Sequence, residues 1–272
     1  MSLPAVSRTA IGVARVRAAE SARPDPLFTD PYAAAFVDAA GSDGAAPDPA
    51  TLSDEQRRWR AGIAFHITVR TRFFDDYLRQ AVAGGCGQVV LLGAGLDTRA
   101  FRFDWPVGVR WFELDLPDVL AFKQDVLEGV DAQARCERRA LAADLAGDWA
   151  PDLGAAGFDP AVPTAWLAEG LLVYLDASTA AHVLTVATSV SAAGSRLAVE
   201  RGDLAARVAR TDAGDRPDEA SRLWQGGLAG GVDEWLSAHG WRATEHDVTD
   251  VATSYGRQPP ASARSGFVTA SR

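Results

Sequence analysis

Short apolar runs recur along the last two thirds of the chain, separated by longer stretches in which apolar residues have helical spacing. Short apolar runs bounded by turn-forming residues are typical of buried strands, and strands that alternate with helices indicate a doubly wound, mostly parallel sheet. The pattern therefore predicts an α/β fold with helices on both faces of the sheet. Seven strands are predicted, at residues 88–92, 109–114, 136–142, 164–168, 196–200, 241–248 and 266–270.

The N-terminal third has a helical pattern and no predicted strand. Residues Thr9–Ala40 are predicted to form one or two helices, interrupted by two proline-containing steps, because a residue before proline is disfavoured in helical geometry. The Gly-, Asp- and Pro-rich residues Gly41–Pro49 predict a mobile surface loop. Ser53 and Gln56 have the spacing of a capping box, which predicts that a long helix begins there and continues to about Val82.

The whole chain, residues 1–272, is predicted to form one domain, because this length suits a single large α/β core. Residues 1–83 would form an N-terminal helical cap and a lead-in helix, and residues 84–272 the core that contains the sheet. Residues from about 202 to 231 are polar and rich in glycine, which is typical of a lid-like insertion rather than of a separate domain.

Composition excludes several classes of protein. A formal net charge of −9 argues against a nucleic-acid partner, which usually needs a basic surface. No apolar stretch is long enough for a membrane span, and the N-terminus lacks the apolar core of a secretion signal, so we expect a cytoplasmic protein without a membrane partner. Cys86 and Cys136 fit neither a disulfide framework nor a zinc site, and no metal site is predicted. The sequence assigns no oligomeric state.

The stretch with the most chemical information is Val89–Arg99, in which a predicted buried strand runs into the sequence Gly93-Ala94-Gly95. Glycines permit a tight turn and let a ligand approach the backbone. Asp115 follows Gly95 by twenty residues, close to the spacing that places a carboxylate on a ribose diol in a nucleotide-binding fold. A Gly-x-Gly motif alone is a weak signal, and a simple tight turn is the alternative.

Two residues of this loop favour a cofactor without phosphate groups. Thr98 stands at the position of the third glycine in the dinucleotide motif, and Asp97 would place a negative charge where a pyrophosphate binds at a helix N-terminus. An acidic loop suits S-adenosylmethionine, which carries a sulfonium and an ammonium group. An NAD-dependent oxidoreductase is the less favoured alternative, and a third glycine would distinguish it.

Five motifs carry a resemblance to a known family: Leu-Gly-Ala-Gly-Leu-Asp-Thr-Arg (92–99), Phe-Glu-Leu-Asp-Leu-Pro-Asp-Val-Leu (112–120), Thr-Ala-Trp-Leu-Ala-Glu-Gly-Leu-Leu-Val-Tyr-Leu (164–175), Ser-Arg-Thr-Ala (7–10) and Arg-Thr-Arg-Phe-Phe (70–74). They resemble the leucine carboxyl methyltransferase superfamily, in particular its actinobacterial branch of S-adenosylmethionine-dependent enzymes and polyketide O-methyltransferases. The resemblance covers nearly the whole chain. It implies a class I methyltransferase fold, which is Rossmann-like, with S-adenosylmethionine as cofactor and S-adenosylhomocysteine as product.

The resemblance also implies roles at the methionine end of the cofactor. Arg70 would bind the methionine carboxylate, to which a planar guanidinium can donate two hydrogen bonds. Gly93, Ala94 and Gly95 would line the central part of the cofactor. Glu169, at the end of the fourth strand, would face the methionine ammonium or the mouth of the substrate pocket. A surface salt bridge for Arg70 and an idle loop acid for Glu169 are the alternatives.

At the adenosine end, the resemblance implies that Asp115 accepts hydrogen bonds from both ribose hydroxyls, with Glu113 as the less favoured candidate. Asp144 and Leu145 would contact the adenine through a side-chain oxygen and a backbone amide. The alternative role of Asp144 is that of a turn or capping residue.

The sequence contains few candidates for a general base. Methyl transfer from a sulfonium is a single in-line displacement, so alignment of acceptor and methyl group is the main task of the enzyme. A carboxylic acid of pKa about 4 is already ionised at neutral pH, whereas a phenol of pKa about 10 needs a base. His66, one helical turn before Arg70, and Tyr174 are the candidate catalytic residues. The remaining histidines are predicted to be structural: His182, His239 and His246.

The acceptor pocket is predicted to be walled by the N-terminal segment and by the insertion. Its candidate residues are Arg8, Arg15, Arg17, Tyr32 and Trp224. The arginines would attract an anionic acceptor, and solvated helix faces are the alternative for them.

The sequence therefore predicts an S-adenosylmethionine-dependent O-methyltransferase. Its acceptor would be a carboxylate, or else a phenolic hydroxyl, of a small molecule such as a polyketide-type secondary metabolite. A protein carboxyl methyltransferase that acts on a chain terminus is the alternative. A non-catalytic cofactor-binding module is a further alternative, but none of the cofactor motifs is missing.

Overall fold

A computed structural model describes residues 5–41, 48–202, 219–260 and 265–272. Its strands are β1 (Gln88–Leu92), β2 (Arg110–Asp115), β3 (Glu137–Ala142), β4 (Thr164–Ala168), β5 (Arg196–Glu200), β6 (Arg242–Asp247) and β7 (Gly266–Ser271). They form one seven-stranded sheet in the order β3-β2-β1-β4-β5-β7-β6. Strand β7 is antiparallel to β5 and β6, and the other pairs are parallel. The predicted α/β fold with a mostly parallel sheet is confirmed.

Ten α-helices lie within the described ranges: α1 (Ala5–Ser21), α2 (Ala33–Ala39), α3 (Asp54–Ala83), α4 (Arg99–Arg102), α5 (Pro117–Gly129), α6 (Ala150–Ala155), α7 (Ala177–Ser189), α8 (Glu219–Arg222), α9 (Val232–Ala238) and α10 (Val248–Ser254). Short 3₁₀ turns occur at Pro49–Thr51 and Leu172–Tyr174. Helix α1 packs against both α2 and α3.

The central strands are apolar throughout because both faces of the sheet are covered. All five residues of β1 are buried. Val89 and Leu91 belong to one hydrophobic core, which includes residues of α3, whereas Val90 and Leu92 belong to a second core, which includes residues of α7. Successive side chains of a strand point to opposite faces, so a strand between two cores shows a continuous apolar run.

Helix α3 begins at the predicted capping box. Gln56 N donates to Ser53 Oγ at 3.1 Å, and Ser53 N donates to Gln56 Oε1 at 2.9 Å. The helix then continues for 30 residues. It packs against β1, β4 and β5, which brings Arg70 in its middle to the region where those strands end.

Two predicted segments lie partly outside the described residues. These are residues 42–47 of the predicted loop Gly41–Pro49 and residues 203–218 of the predicted insertion at about 202–231. The described end of the insertion packs along the turn after β4: Gln225 N donates to Val173 O at 2.8 Å. Within the described ranges, no helix combines the length and the apolar character that crossing a membrane requires.

Candidate active site

A cavity of about 330 Å³ lies at the carboxyl ends of β1, β2 and β4, where open parallel sheets bind ligands. The loops after β1 to β4 form its walls together with α1 and α3. Ten predicted site residues line it: Arg17, Arg70, Gly93, Ala94, Gly95, Asp115, Asp144, Leu145, Glu169 and Tyr174. The fold therefore brings residues from separate sequence motifs to one place.

The loop after β1 depends on glycine. Gly93 and Gly95 have φ angles of +67° and +47°, in the left-handed region that side chains with a Cβ atom disfavour. A Cβ atom at Gly93 would lie 2.9 Å from Leu171 Cδ1, so space is limited as well. Ala94 N donates to Leu114 O at 3.0 Å, which ties the loop to the end of β2.

Asp115, the last residue of β2, is held by two backbone amides. Gly95 N donates to Oδ2 at 2.6 Å, and Leu116 N donates to Oδ1 at 2.7 Å. Burial raises the pKa of Asp115, although the two amides oppose this effect. Each carboxylate oxygen has a further lone pair, so this side chain can accept two more hydrogen bonds from a ligand in the cavity.

Glu113, the less favoured ribose candidate, has a different environment on the same strand. It is fully buried, and its Oε2 accepts hydrogen bonds from Lys123 Nζ and Arg138 Nη2, both at 2.7 Å. Among the described residues, it is not part of the cavity wall. Burial lowers the pKa of Lys123, although the charge of Glu113 opposes this effect. Glu113 therefore forms a structural ion pair, and Asp115 is the carboxylate of β2 that reaches the cavity.

Asp144 and Leu145 follow β3 and form the wall next to the loop of Asp115. Ala143 N donates to Asp115 O at 2.9 Å, which joins the two loops. Asp144 is exposed, and its Oδ1 accepts a hydrogen bond from Ala146 N at 3.0 Å. Asp144 therefore stabilises a local turn, which was the alternative role considered for it. The same residue also lines the cavity.

Arg70 connects the ends of two neighbouring strands. Its Nε donates to Glu169 Oε1 at 2.9 Å, and its Nη1 donates to Glu200 Oε1 at 2.8 Å. Burial alone would lower the pKa of Arg70, but the charges of Glu200 and Glu169 raise it. Arg70 is thus a fixed cation at the cavity wall, supported by two carboxylates. Sequence reasoning had not identified Glu200.

A second arginine, Arg99, extends this cluster beneath the loop after β1. Its Nη1 donates to Glu169 Oε2 at 2.7 Å and also to Asp97, and its Nε donates to Asp75 Oδ1 at 2.6 Å. Arg102 donates to the same oxygen of Asp75. Arg99 is 2% exposed, so these contacts are formed in the interior. Asp75 and the structural role of Arg99 had also not been predicted.

Gly170 separates Glu169 from the turn that contains Tyr174, and it has a φ angle of +64°. A Cβ atom there would lie 3.2 Å from Arg70 Nη1 and 3.6 Å from Nη2. We therefore expect Gly170→Ala to destabilise the fold by about 1–2 kcal/mol, the usual cost of left-handed backbone. It should also lower the affinity for S-adenosylhomocysteine, because Arg70 must move.

Urea unfolding and isothermal titration calorimetry test both effects. The matched control is Gly62→Ala in the middle of α3, where an added Cβ has no neighbour within 4 Å. It should stabilise the protein by up to about 1 kcal/mol and leave the affinity unchanged. An unchanged affinity in Gly170→Ala would show that this glycine does not constrain Arg70.

His66 lies next to the cavity but is not one of the described residues that line it. Its Nε2 is 2.9 Å from Glu200 Oε1, and its ring stacks on Phe267 with a centroid distance of 5.6 Å. Its Nδ1 is buried and has no hydrogen-bond partner within the described part of the chain. Tyr174 lines the cavity and lies close enough to Arg70 to interact with its charge. The catalytic roles of both residues stay predictions.

The predicted acceptor wall divides into two groups. Arg17 lines the cavity and is buried, with its Nη2 donating to Leu96 O at 2.7 Å. Arg15, Tyr32 and Trp224 are not among the described residues of the cavity wall, and the side chain of Arg8 lies outside the described residues. The wall that α1 contributes consists instead of the residues Thr9, Ala10, Val13 and Arg17.

The other histidines contact neighbouring protein atoms. The partners of His182, His239 and His246 are Gly147 O at 3.0 Å, Trp235 O at 2.7 Å and Thr269 Oγ1 at 2.9 Å. None of the three is among the described residues that line the cavity.

The charges around the cavity fit a positively charged nucleoside cofactor. Among the described residues that line the cavity, three arginines (Arg17, Arg70 and Arg99) stand against four carboxylates (Asp97, Asp115, Asp144 and Glu169), which leaves one formal negative charge. S-adenosylmethionine carries a sulfonium, an ammonium and a carboxylate, and hence one net positive charge. At the other end, Asp115 can accept hydrogen bonds from the ribose hydroxyls. Pyrophosphate would instead meet Asp97 in the loop after β1.

The fold is the Rossmann-like fold of class I methyltransferases. The fold is similar to that of a candidate methyltransferase from Thermobifida fusca YX, with a TM-score of 0.58 and 17% identity over 88% of this chain and 93% of the other. It is also similar to magnesium protoporphyrin IX methyltransferase from Synechocystis PCC 6803 with bound S-adenosylhomocysteine. That comparison has a TM-score of 0.50 and 14% identity, and it covers 83% of this chain and 90% of the other.

Sequence comparisons identify the family. Residues 10–188 match the leucine carboxyl methyltransferase family, which is more than half of the chain. A candidate S-adenosyl-L-methionine-dependent methyltransferase from Parafrankia sp. (strain EAN1pec) is 49% identical over 98% of this chain and 87% of its own length. This chain belongs to the leucine carboxyl methyltransferase family. It is an S-adenosylmethionine-dependent methyltransferase, which confirms the predicted cofactor.

Proposed function

We propose that this enzyme methylates a carboxylate oxygen of a small-molecule acceptor of the secondary-metabolite type. The observation that carries the proposal is the lack of an available base among the described residues of the cavity wall. Of the carboxylates that line the cavity, Asp97 and Glu169 are ion-paired, Asp115 accepts two backbone amides, and Asp144 accepts the amide of Ala146 in its own turn; among the described residues, neither histidine nor lysine lines the cavity. An acceptor that arrives already ionised requires no such base.

The two acceptor classes differ in what they require from the protein. At neutral pH a phenol of pKa about 10 lies about three units from ionisation, which corresponds to about 4 kcal/mol, whereas a carboxylic acid is already charged. His66 would have to remove the phenolic proton, but its Nε2 lies against Glu200. The geometry therefore favours the carboxylate.

The residues of the cavity can align such an acceptor. S-adenosylmethionine, when bound, supplies an electrophilic methyl group, and alignment can contribute roughly 7–11 kcal/mol. Val13, Leu171 and Leu175 line the cavity and suit an acceptor with an apolar body. Tyr174 lines the same cavity, and its hydroxyl could donate a hydrogen bond to the acceptor oxygen.

The test uses S-adenosylmethionine with a labelled methyl group and pairs of acceptors on one aromatic skeleton, one bearing a carboxylate and the other a phenol. We expect label on the carboxylate, released as methanol by mild base, because methyl esters hydrolyse there and methyl ethers do not. Base-stable label on the phenol would contradict the proposal. Peptides with a free C-terminal carboxylate form a third arm, and esters found only on them would favour the alternative of a protein carboxyl methyltransferase.

A further inference from the structure

Glu200, the last residue of β5, connects three parts of the site. Its Oε1 lies 2.9 Å from His66 Nε2 and accepts a hydrogen bond from Arg70 Nη1 at 2.8 Å. Its Oε2 accepts a hydrogen bond from Gly170 N at 3.0 Å. The first two partners belong to α3 and the third to the loop after β4. Glu200 is therefore the point at which the helix and the loop are held together.

We propose that Glu200, oriented by His66, is a positioning residue for the amino-acid end of the cofactor, which it controls through Arg70 and the loop at Gly170. In this arrangement His66 supports Glu200 and accepts no proton from the acceptor. The proposal rests on the assignment of Arg70 to the methionine carboxylate, and it is independent of which acceptor the enzyme methylates.

The geometry of His66 supports this role. The ring is clamped between its contact with Glu200 and its stacking on Phe267. A neutral histidine that donates from Nε2 leaves Nδ1 as its acceptor, and Nδ1 is enclosed without a partner among the described residues. A general base must come within hydrogen-bond reach of the proton it removes. Neither ring nitrogen of His66 offers that position.

The electrostatics of Glu200 agree with a role that needs its charge. Burial alone would raise the pKa of Glu200, but the charge of Arg70 and the hydrogen bond with His66 outweigh it and hold the pKa well below its usual range. Glu200 is therefore ionised at neutral pH. Without that charge, Arg70 would be balanced by Glu169 alone and would turn towards it. Its remaining donors would then no longer point at a carboxylate in the cavity.

The experiment compares two ligands that differ only at the amino-acid end. S-adenosylhomocysteine contains the whole amino acid, whereas 5′-methylthioadenosine has the same adenosine and thioether without it. We expect Glu200→Gln to weaken binding of S-adenosylhomocysteine by about 10- to 100-fold, the effect of losing hydrogen bonds to a charged group. Binding of 5′-methylthioadenosine should be unchanged. His66→Gln should show the same selective loss to a smaller extent.

Glu245→Gln is the matched control, because Glu245 is a β6 carboxylate that is 47% exposed and faces Arg201 at 3.7 Å. It should leave both affinities unchanged. Glu200→Asp keeps the charge and should bind S-adenosylhomocysteine more tightly than Glu200→Gln but less tightly than the wild type. If Glu200→Gln does not fold, Glu200→Asp is measured in its place and should show a smaller loss that is again selective for S-adenosylhomocysteine. Equal losses for both ligands, or no loss for either, would overturn the role of Glu200. If His66→Gln leaves the affinity for S-adenosylhomocysteine unchanged while Glu200→Gln lowers it, His66 does not orient Glu200, and that part of the proposal is wrong.

These binding measurements require no acceptor. Their failure would therefore count against the positioning role of Glu200 and leave the proposed carboxylate acceptor untouched.

Discussion

Replacing Asp115 by Asn is expected to lower the affinity for S-adenosylhomocysteine by about 100-fold or more. Each hydrogen bond to a charged group contributes about 1.5–3 kcal/mol, and the ribose offers two hydroxyls. The orientation of Asp115 depends on both of its oxygens, which accept from Gly95 N and Leu116 N. An amide has one oxygen and one NH₂ group, so Asn would direct a donor at one of these backbone donors. The variant loses both the charge and the fixed geometry.

Isothermal titration calorimetry with S-adenosylhomocysteine measures this effect directly. Asp125→Asn is the control, because Asp125 is an exposed acid on the neighbouring α5. It removes the same charge from the protein without touching the cavity, and its affinity should match that of the wild type. An Asp115→Asn variant that binds within about threefold of wild type would remove Asp115 from the ribose site.

Arg99→Met is expected to lower the free energy of unfolding by about 3–5 kcal/mol, because removing one member of a buried ion pair leaves its partners without compensation. Arg99 is buried and contacts Asp75, Asp97 and Glu169. After the substitution Asp75 keeps Arg102 and Glu169 keeps Arg70, but Asp97 loses the arginine that it contacts. Methionine fills much of the volume of the arginine side chain, so the loss of stability reflects the missing charge rather than a new cavity.

Urea unfolding at pH 7 measures this loss of stability. The control Arg139→Met removes an exposed arginine and should change the stability by no more than about 0.5 kcal/mol. A loss below about 1 kcal/mol in Arg99→Met would show that the buried acids do not depend on this arginine.

The effect of Arg99→Met should depend on pH in a defined direction. Burial alone would raise the pKa of Asp97, but the charge of Arg99 lowers it below its usual value. A carboxyl group with a lowered pKa in the folded state stabilises the fold above its unfolded pKa of about 4, and this contribution disappears as the pH falls through the folded value. The difference between wild type and Arg99→Met should therefore be largest near pH 7 and shrink below about pH 4.

Much of the sheet could be predicted because its strands are locally distinct. The predicted bounds of β1, β4 and β5 match the structure, since turn-forming or polar residues mark both ends of each of these apolar runs. Strands β2 and β6 differ from prediction by one residue at each end. Those ends are decided by pairing with a neighbour, as when Asp115 pairs with Ala142 of β3. Pairing across the sheet leaves no trace in the local pattern.

The residues that line the cavity could be predicted in large part because most of them occupy short motifs at the ends of strands, whereas their roles in binding the cofactor stay predictions. Glu200 was missed although it also ends a strand. Its role depends on β4 and β5 lying side by side, with Ala168 paired with Val199, so that Glu169 and Glu200 meet at one edge. Strand order cannot be obtained from the spacing of residues in one chain. The sequence did contain one signal for Glu200: two successive apolar strands, β4 and β5, each have an acidic residue at their carboxyl end.

The part of the cavity wall that α1 contributes was the least predictable. Thr9, Val13 and Arg17 follow one another at intervals of four residues and share the face of α1 that lines the cavity. Arg15 lies on another face of the same helix. The sequence of α1 has alternating small and charged residues, so it does not reveal which face turns towards the sheet.

On the proposed assignment of Arg70 to the methyl donor, the buried cluster of Arg70, Arg99 and their four carboxylates links recognition of that donor to the stability of the fold. A substitution there would impair both at once, so a lineage that acquires a new acceptor has little freedom to alter it. Val13 of α1 and Leu171 and Leu175 of the turn after β4 line the cavity and do not belong to this cluster. We therefore expect changes in acceptor specificity, natural or engineered, to arise from substitutions in the turn after β4 and on the cavity face of α1.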